Sequence, residues 1–290
     1  MSEINSDVLK GKKLEEKLYD NKGGVTLLDC MPRLINCNKT TADYAIAAMA
    51  RVSYGNFNQK SDQDDTKLIS YLIENYHTSP LEGVKFQFLI QCPIYVARQL
   101  LRHRTAQVNE YSMRYSEAID DFYFPAPRAQ DKTNKQQSVE SKFDQETASF
   151  YKITCENAAG LINQYRELIK KGVAREVSRG ILCTAEMTKM IWCMDLHNLF
   201  KFLKLRCDRK HAQKEIADLA DAILKLIQPI IPVACEAFKK FWLNSISLTQ
   251  DELSIIMNDA NKVMIKKNID ESKLTDARKK MLLSKLKFLE

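Results

Sequence analysis

Glycine is scarce in this chain, 8 of 290 residues, and neither a G-x-G-x-x-G nor a P-loop pattern occurs. A nucleotide could not be held here by a Rossmann turn or a glycine-rich phosphate loop. Cysteine occurs eight times but never as C-x-x-C, and several copies sit in apolar runs such as Ile181-Leu182-Cys183 and Trp192-Cys193-Met194. That pattern reads as small buried hydrophobes in a reducing compartment, with no disulfide frame and no metal site. No apolar run approaches a membrane span, and the opening residues MSEINSDVLKGKKLEEK have no h-region. The expectation is a cytoplasmic protein without membrane contact.

What remains is a chain that can bury one sizeable core, with 45% hydrophobic and 28% charged residues. Its net charge of +7 favours anionic ligands without choosing between a nucleotide enzyme and a nucleic-acid binder. Residues 1–24 are polar and predict a flexible lead-in, 25–248 a single folded domain, and 249–290 a Lys-rich helical tail. Strand-like runs open at Val25 and recur over Val84–Ile90 and Thr188–Met194, where apolar residues alternate. Helices are predicted from Thr40 or Thr41, a good N-cap, to Arg51, and over 64–76, 93–103, 143–171, 174–182, 196–206, 215–226 and 233–243. Ala129–Ser141 reads as an exposed polar insertion. The fold expected is α/β of the α+β type, a small central sheet flanked by many helices, without a Rossmann fold.

One segment stands apart, RQLLRHRTAQVNEYSMRY from Arg98 to Tyr115. It places Arg98, Arg102, Arg104 and Arg114 within seventeen positions, at a helix end and the loop after it. Guanidinium groups so crowded are costly to desolvate unless they meet anions, and their planar fork matches phosphate. The residues therefore point to a nucleotide. Arg102-His103-Arg104, seven further residues and Ser112 also resemble the signature of the flavin-dependent thymidylate synthases. The resemblance runs from about Val25 to Leu243. It includes Ala50-Arg51-Val52-Ser53, His77-Thr78-Ser79-Pro80-Leu81-Glu82, Arg175-Glu176-Val177-Ser178-Arg179, Asp195-Leu196-His197, Leu203-Lys204-Leu205-Arg206 and His211-Ala212-Gln213. The chain departs from the family at Gly83, where many members have a second histidine, and at Lys201, where Asn or His is common. It also has four residues between Arg206 and His211, one more than expected.

The resemblance implies conversion of dUMP to dTMP, with methylenetetrahydrofolate as one-carbon donor and FAD, reduced by NADPH, as hydride source. It implies that Gln99, Leu100, Leu101, Arg102, Glu110, Tyr111, Ser112, Met113, Arg114, Arg179 and Arg206 contact dUMP. It assigns to FAD Ser53, His77, Ser79, Arg102, His103, Arg104, Glu110, Asp195, Leu196, His197, Lys201 and His211. Arg206 is the catalytic residue it implies, and a homotetramer with active sites shared between subunits the assembly. The classical thymidylate synthases use a cysteine in a Pro-Cys-His setting, which is absent here, so no enzyme nucleophile is expected. An arginine would instead stabilise charge developing on the pyrimidine.

Two other readings stay open at this level. A basic nucleic-acid module would put the arginines on phosphates, but Glu110, Glu176 and Asp195 interrupt them and no stacking platform surrounds them, so no nucleic acid is expected. A flavin-dependent methyltransferase acting on uridine in RNA would suit the Lys-rich tail, but it calls for a dinucleotide fold that the chain lacks.

Overall fold

A computed structural model of the chain describes residues 14–32, 41–55, 61–257 and 259–286. The chain divides into Met1–Asn244 and Ser245–Glu290, four residues before the expected start of the tail. The first unit is built on a sheet of order β1-β2-β3-β7-β4, with β1 Leu14–Leu18, β2 Gly23–Met31, β3 Lys85–Pro93, β4 Gln107–Glu110 and β7 Met187–Asp195. Every pairing in it is antiparallel.

Alternation decides which face of the sheet is buried. Val25 and Leu27 of β2, Phe86, Phe88 and Ile90 of β3, and Met190, Trp192 and Met194 of β7 are all buried. Cross-strand partners Phe88 and Trp192 are directly opposite and their rings lie 6.2 Å apart. The opposite face carries Asp29, Met31, Gln87, Leu89, Ile191 and Cys193, none of them buried. A cavity of about 430 Å³ opens there between Asp29, Lys85, Gln87 and Cys193.

Helices cover the apolar face: α1 Asp43–Val52, α2 Asp62–Glu74, α3 Ile94–Leu100, α6 Leu196–Arg206, α7 Lys214–Ile227 and α8 Pro232–Phe238. Between α2 and β3 a 3₁₀ turn spans Ser79–Gly83, and α8 runs on into a π-helical turn, Lys239–Leu243. The long helix α4 Gln145–Lys170 and the short α5 Arg175–Ser178 come between β4 and β7. Of α4 only Ile162 and Tyr165 are buried, and with Phe122 they form a small second core. Gly172 ends this segment at φ +89, a left-handed conformation that favours glycine. The second unit holds α9 Gln250–Ile256, α10 Asp259–Glu271 and α11 Asp276–Lys285, so the tail is helical.

Several expectations are corrected. Residues 14–24 belong to the sheet and not to a flexible lead-in. Leu14, Glu16 and Leu18 of β1 share its inward face, and Glu16 pairs with Lys225 at 2.7 Å. Residues 1–13 lie outside the described residues. The first helix begins at Asp43 with Ala42 as an N-cap that makes no side-chain bond, so Thr41 does not cap it; Thr40 lies outside the described residues. The strand opened at Val25 ends at Met31, and 33–37 are not described. Helix α3 begins at Ile94, because strand β3 extends through Pro93, and it stops at Leu100, short of the expected end at His103, where the chain turns. The 129–141 insertion holds a small hairpin, β5 Ala129–Gln130 with β6 Ser138–Val139.

Asp43 acts away from its own helix. Its carboxylate accepts the Val233 and Ala234 N–H groups, at 3.1 and 3.0 Å, and so caps the start of α8. Burial pushes its carboxyl up to about 6, leaving it ionised at neutral pH. Asp43→Ala should lower stability by about 1–2 kcal/mol. A thermal or denaturant melt near neutral pH would check this, and an unchanged midpoint would remove the cap from the account.

Candidate active site

The signature segment is a helix end, a turn and an edge strand. Arg98 lies in the last turn of α3, and the His103 N–H donates to the Leu100 carbonyl at 3.1 Å. Beyond the turn, β4 lies along β7 with Glu110 opposite Met190, and Glu110 Oε1 accepts from Thr188 Oγ1 at 2.8 Å. Ser112 then makes a tight turn. Its Oγ accepts the Arg114 N–H at 3.3 Å, and its carbonyl accepts from Ser116 at 3.1 Å. Tyr111 OH donates to the Glu117 carbonyl at 2.7 Å. Leu101, Ser112 and Met113 are half-buried, and the Leu100 side chain is wholly in the core.

β7 continues into α6 at Asp195, whose carboxylate accepts the Asn198 N–H at 3.0 Å and caps the helix. Leu196, Leu199, Phe200, Phe202 and Leu203 are buried along one stripe, so the far end of α6 is held firmly. At that end, Arg206 Nε donates to His103 Nε2 at 3.2 Å. The His103 ring meets Phe202 edge-on at 4.9 Å. Burial first, and then the Arg206 charge, pushes His103 down to about 4, so at neutral pH it is a neutral acceptor. Burial also lowers Arg206, although a guanidinium stays charged at neutral pH.

Arg51, Arg114, Arg128, Arg166, Arg175 and Arg209 each face a carboxylate. Among the described residues Arg98, Arg102, Arg104, Arg179 and Arg206 do not. All five belong to the segments singled out in the sequence. Guanidinium groups without counter-ions of this kind are suited to meeting an anion.

The structure brings the signature to other predicted segments. Arg114 Nε lies 4.0 Å from Glu176, and Arg175 lies 4.0 Å from Glu117. These exposed pairs are long and contribute little energy, but they place the start of α5 beside the segment around Ser112. Gln99 donates from Nε2 to Gln213 Oε1, linking α3 to the loop before α7.

The residues matched to a flavin site divide between the two ends of α6. His103, Arg102 and Arg104 are at the Arg206 end. Asp195 and His197 are at the other, about 16 Å away at 1.5 Å per residue. There His197 Nδ1 lies 3.2 Å from Glu82 Oε1, and its ring faces Trp242. Ser79 opens the 3₁₀ turn that carries Glu82, and His77, exposed just before it, packs edge-on to Tyr71. Ser53 is exposed at the end of α1. A Cβ at Gly83 would collide with Met49 Sδ, so Met49 fills the place where a side chain at position 83 would begin. The Leu196 side chain is buried, with its N–H on the Val84 carbonyl at 2.8 Å, and Lys201 is exposed. His211 stands apart, exposed and bound to Asp208 at 2.7 Å. A flavin dinucleotide is long enough to reach from one end of α6 to the other, and unpaired Arg102 and Arg104 suit its pyrophosphate. No group of three or more His, Cys, Asp or Glu that could hold a metal occurs among the described residues.

Sequence reasoning missed Phe202 and Thr188, which fix His103 and Glu110, and the tie from Gln213 to Gln99. Alternation marks Thr188 as inward-facing, but nothing local links positions 99 and 213.

Residues 33–233 match the family model described as thymidylate synthase complementing protein. A flavin-dependent thymidylate synthase from Dictyostelium discoideum is 43% identical over 280 residues, covering 92% of this chain and 90% of that one. One from Thermus thermophilus is 40% identical, covering 92% and 94%. The solved UMP/dUMP methylase PolB from Streptomyces cacaoi, bound with 5-Br dUMP, superposes with a TM-score of 0.66 at 28% identity, covering 77% of this chain and 97% of that one.

The depressed His103 value sets a pH dependence. The unfolded imidazole takes up its proton near 6.5, the folded one only near 4. The associated stability is therefore full above about 6.5 and is lost as pH falls towards 4. An NMR titration should show His103 neutral at pH 5.5. A midpoint near 6.5 would overturn the neutral Arg206–His103 pair.

Proposed function

The chain belongs to the flavin-dependent thymidylate synthase family, and we propose that it makes dTMP from dUMP with methylenetetrahydrofolate as one-carbon donor, NADPH as reductant and no enzyme nucleophile. Bound FAD would supply the hydride that completes the methyl group. The observation that carries this reading is Arg206: a half-buried guanidinium without a carboxylate partner among the described residues, oriented by a neutral imidazole. A cation held this way is stabilised by negative charge arriving beside it, as when a pyrimidine ring loses its N3 proton. The thiols of Cys92, Cys207 and Cys235 are unsuited to act as nucleophiles. Burial raises all three well above the ordinary cysteine value, so they stay protonated.

In this reading Gln99, Leu100, Leu101, Arg102, Glu110, Tyr111, Ser112, Met113, Arg114, Arg179 and Arg206 form the dUMP site, Leu100 through its backbone. Ser53, His77, Ser79, Arg102, His103, Arg104, Glu110, Asp195, Leu196, His197, Lys201 and His211 would serve FAD. The Ser112 hydroxyl and the guanidinium groups of Arg114 and Arg179 would supply donors to a phosphate. His211, turned to Asp208, is the weakest of these assignments.

The enzyme would work as a homotetramer with shared active sites. Two surfaces support this: the uncovered sheet face with Met31, Leu89 and Ile191, and α4 with Phe150 and Ile153 exposed. No described helix is long and apolar enough to cross a membrane, in keeping with a cytoplasmic enzyme.

Purified protein should show a flavin absorption band and release tritium from [5-³H]dUMP in the presence of NADPH and methylenetetrahydrofolate. If it showed neither, the assignment would be wrong. Arg206→Ala should keep the flavin band while kcat falls about 10²–10³-fold, as when a charge-stabilising donor is lost. Wild-type turnover in that variant would remove Arg206 from catalysis.

A further inference from the structure

Four side chains from three separate segments join in a line beside α3. Arg128, just before the β5–β6 hairpin, donates from Nη2 to Glu215 Oε1 at 2.6 Å and from Nε to Ser138 Oγ at 2.8 Å. Glu215, the second residue of α7, is 1% exposed. Its Oε2 accepts from Gln213 Nε2 at 3.0 Å, and Gln213 Oε1 accepts from Gln99 Nε2.

The direction of this line is set at one end. A carboxylate only accepts, whereas an amide has one donating and one accepting end. With Glu215 in place, Gln213 must turn its NH₂ towards the carboxylate and its carbonyl towards Gln99. Gln99 must then turn its own NH₂ towards Gln213. Its carbonyl oxygen makes no hydrogen bond among the described residues and is left for a ligand. Without an acceptor-only group at the end of the line, both amides could reverse together, and Gln99 would then offer N–H in place of C=O.

We propose that Glu215 is a positioning residue for dUMP. Acting through Gln213, it fixes the polarity of Gln99 so that a carbonyl acceptor faces the nucleotide. The partner this selects is a donor on the nucleoside, the sugar hydroxyl or the uracil N3–H, and not a phosphate oxygen. The inference rests on the reading that Gln99 contacts dUMP. Arg128 and its hairpin take part by neutralising and anchoring the buried carboxylate.

The test is dUMP binding to FAD-loaded enzyme by calorimetry. Glu215→Gln keeps the shape but lets the line reverse, and should raise the dUMP Kd about tenfold with little change in flavin content. The double variant Gln213→Glu with Glu215→Gln moves the acceptor-only group next to Gln99, and should restore wild-type affinity. A purely structural role for Glu215 would not be rescued in this way. The donor is identified with dUMP analogues lacking the 3′-hydroxyl or carrying a methyl on N3: the analogue missing the partner should bind wild type and Glu215→Gln alike.

Unchanged affinity in Glu215→Gln, no rescue by the double variant, or a wild-type-to-variant difference that persists with both analogues would each overturn the proposal. If Glu215→Gln fails to fold, Gln213→Met at a half-exposed position cuts the line and leaves the Arg128 pair intact. Wild-type dUMP affinity there would overturn the proposal equally. Wild-type protein that holds FAD but does not bind dUMP would sink the Gln99 reading and the proposal with it. Tight wild-type binding with no effect of the variants would sink the relay alone.

Discussion

The passage of β7 into α6 at Asp195, with no linker, is the constraint on which the site depends. β7 lies between β3 and β4, so its backbone is hydrogen-bonded on both edges. Trp192 and Met194 anchor it from below, and Asp195 closes the strand and caps the helix with one side chain. The stripe from Leu196 to Leu203 then locks the rotation of α6 against the core. Little freedom remains for Arg206, within one turn of Leu203, and β4 brings the signature segment to the same strand from the other side. A guanidinium at the end of a mobile loop could reach the same point, but it would lose more entropy on each binding event.

The second feature is the way charge is distributed. Elsewhere in the fold arginines are matched: Arg51 with Asp65 in the interior, Arg128 with Glu215, and Arg209 with Asp218. Along the signature Arg114 still faces Glu176, but Arg98, Arg102 and Arg104 have no carboxylate partner among the described residues, and Arg206 donates to an imidazole that its surroundings keep neutral. A carboxylate in the place of His103 would neutralise the charge that the proposed chemistry would use.

Much of the fold was legible because it is set locally. Alternation over Val84–Ile90 and Thr188–Met194 marked two central strands, the apolar stripe marked α6, and Asp195 was read correctly as its cap. The misses share one cause. LEEKL at Leu14–Leu18 and QVNE at Gln107–Glu110 are too polar to declare themselves as strands, and become strands only because β2 and β7 offer free edges. Thr41 was read as a cap by residue type, yet the capping carboxylate in this region, Asp43, serves a helix 190 residues away.

The sequence by itself determined the chemistry on offer: the arginines at their spacing, and the absence of a glycine-rich cofactor loop and of a Pro-Cys-His nucleophile. These follow from residue type and short-range periodicity, which act over a few positions. Only the tertiary structure decided which arginines remain without counter-ions, that His103 is neutral, and that Gln99 is held through Gln213 by a buried glutamate. Each of these depends on desolvation or on a contact about a hundred residues away in the chain, and no local pattern encodes either.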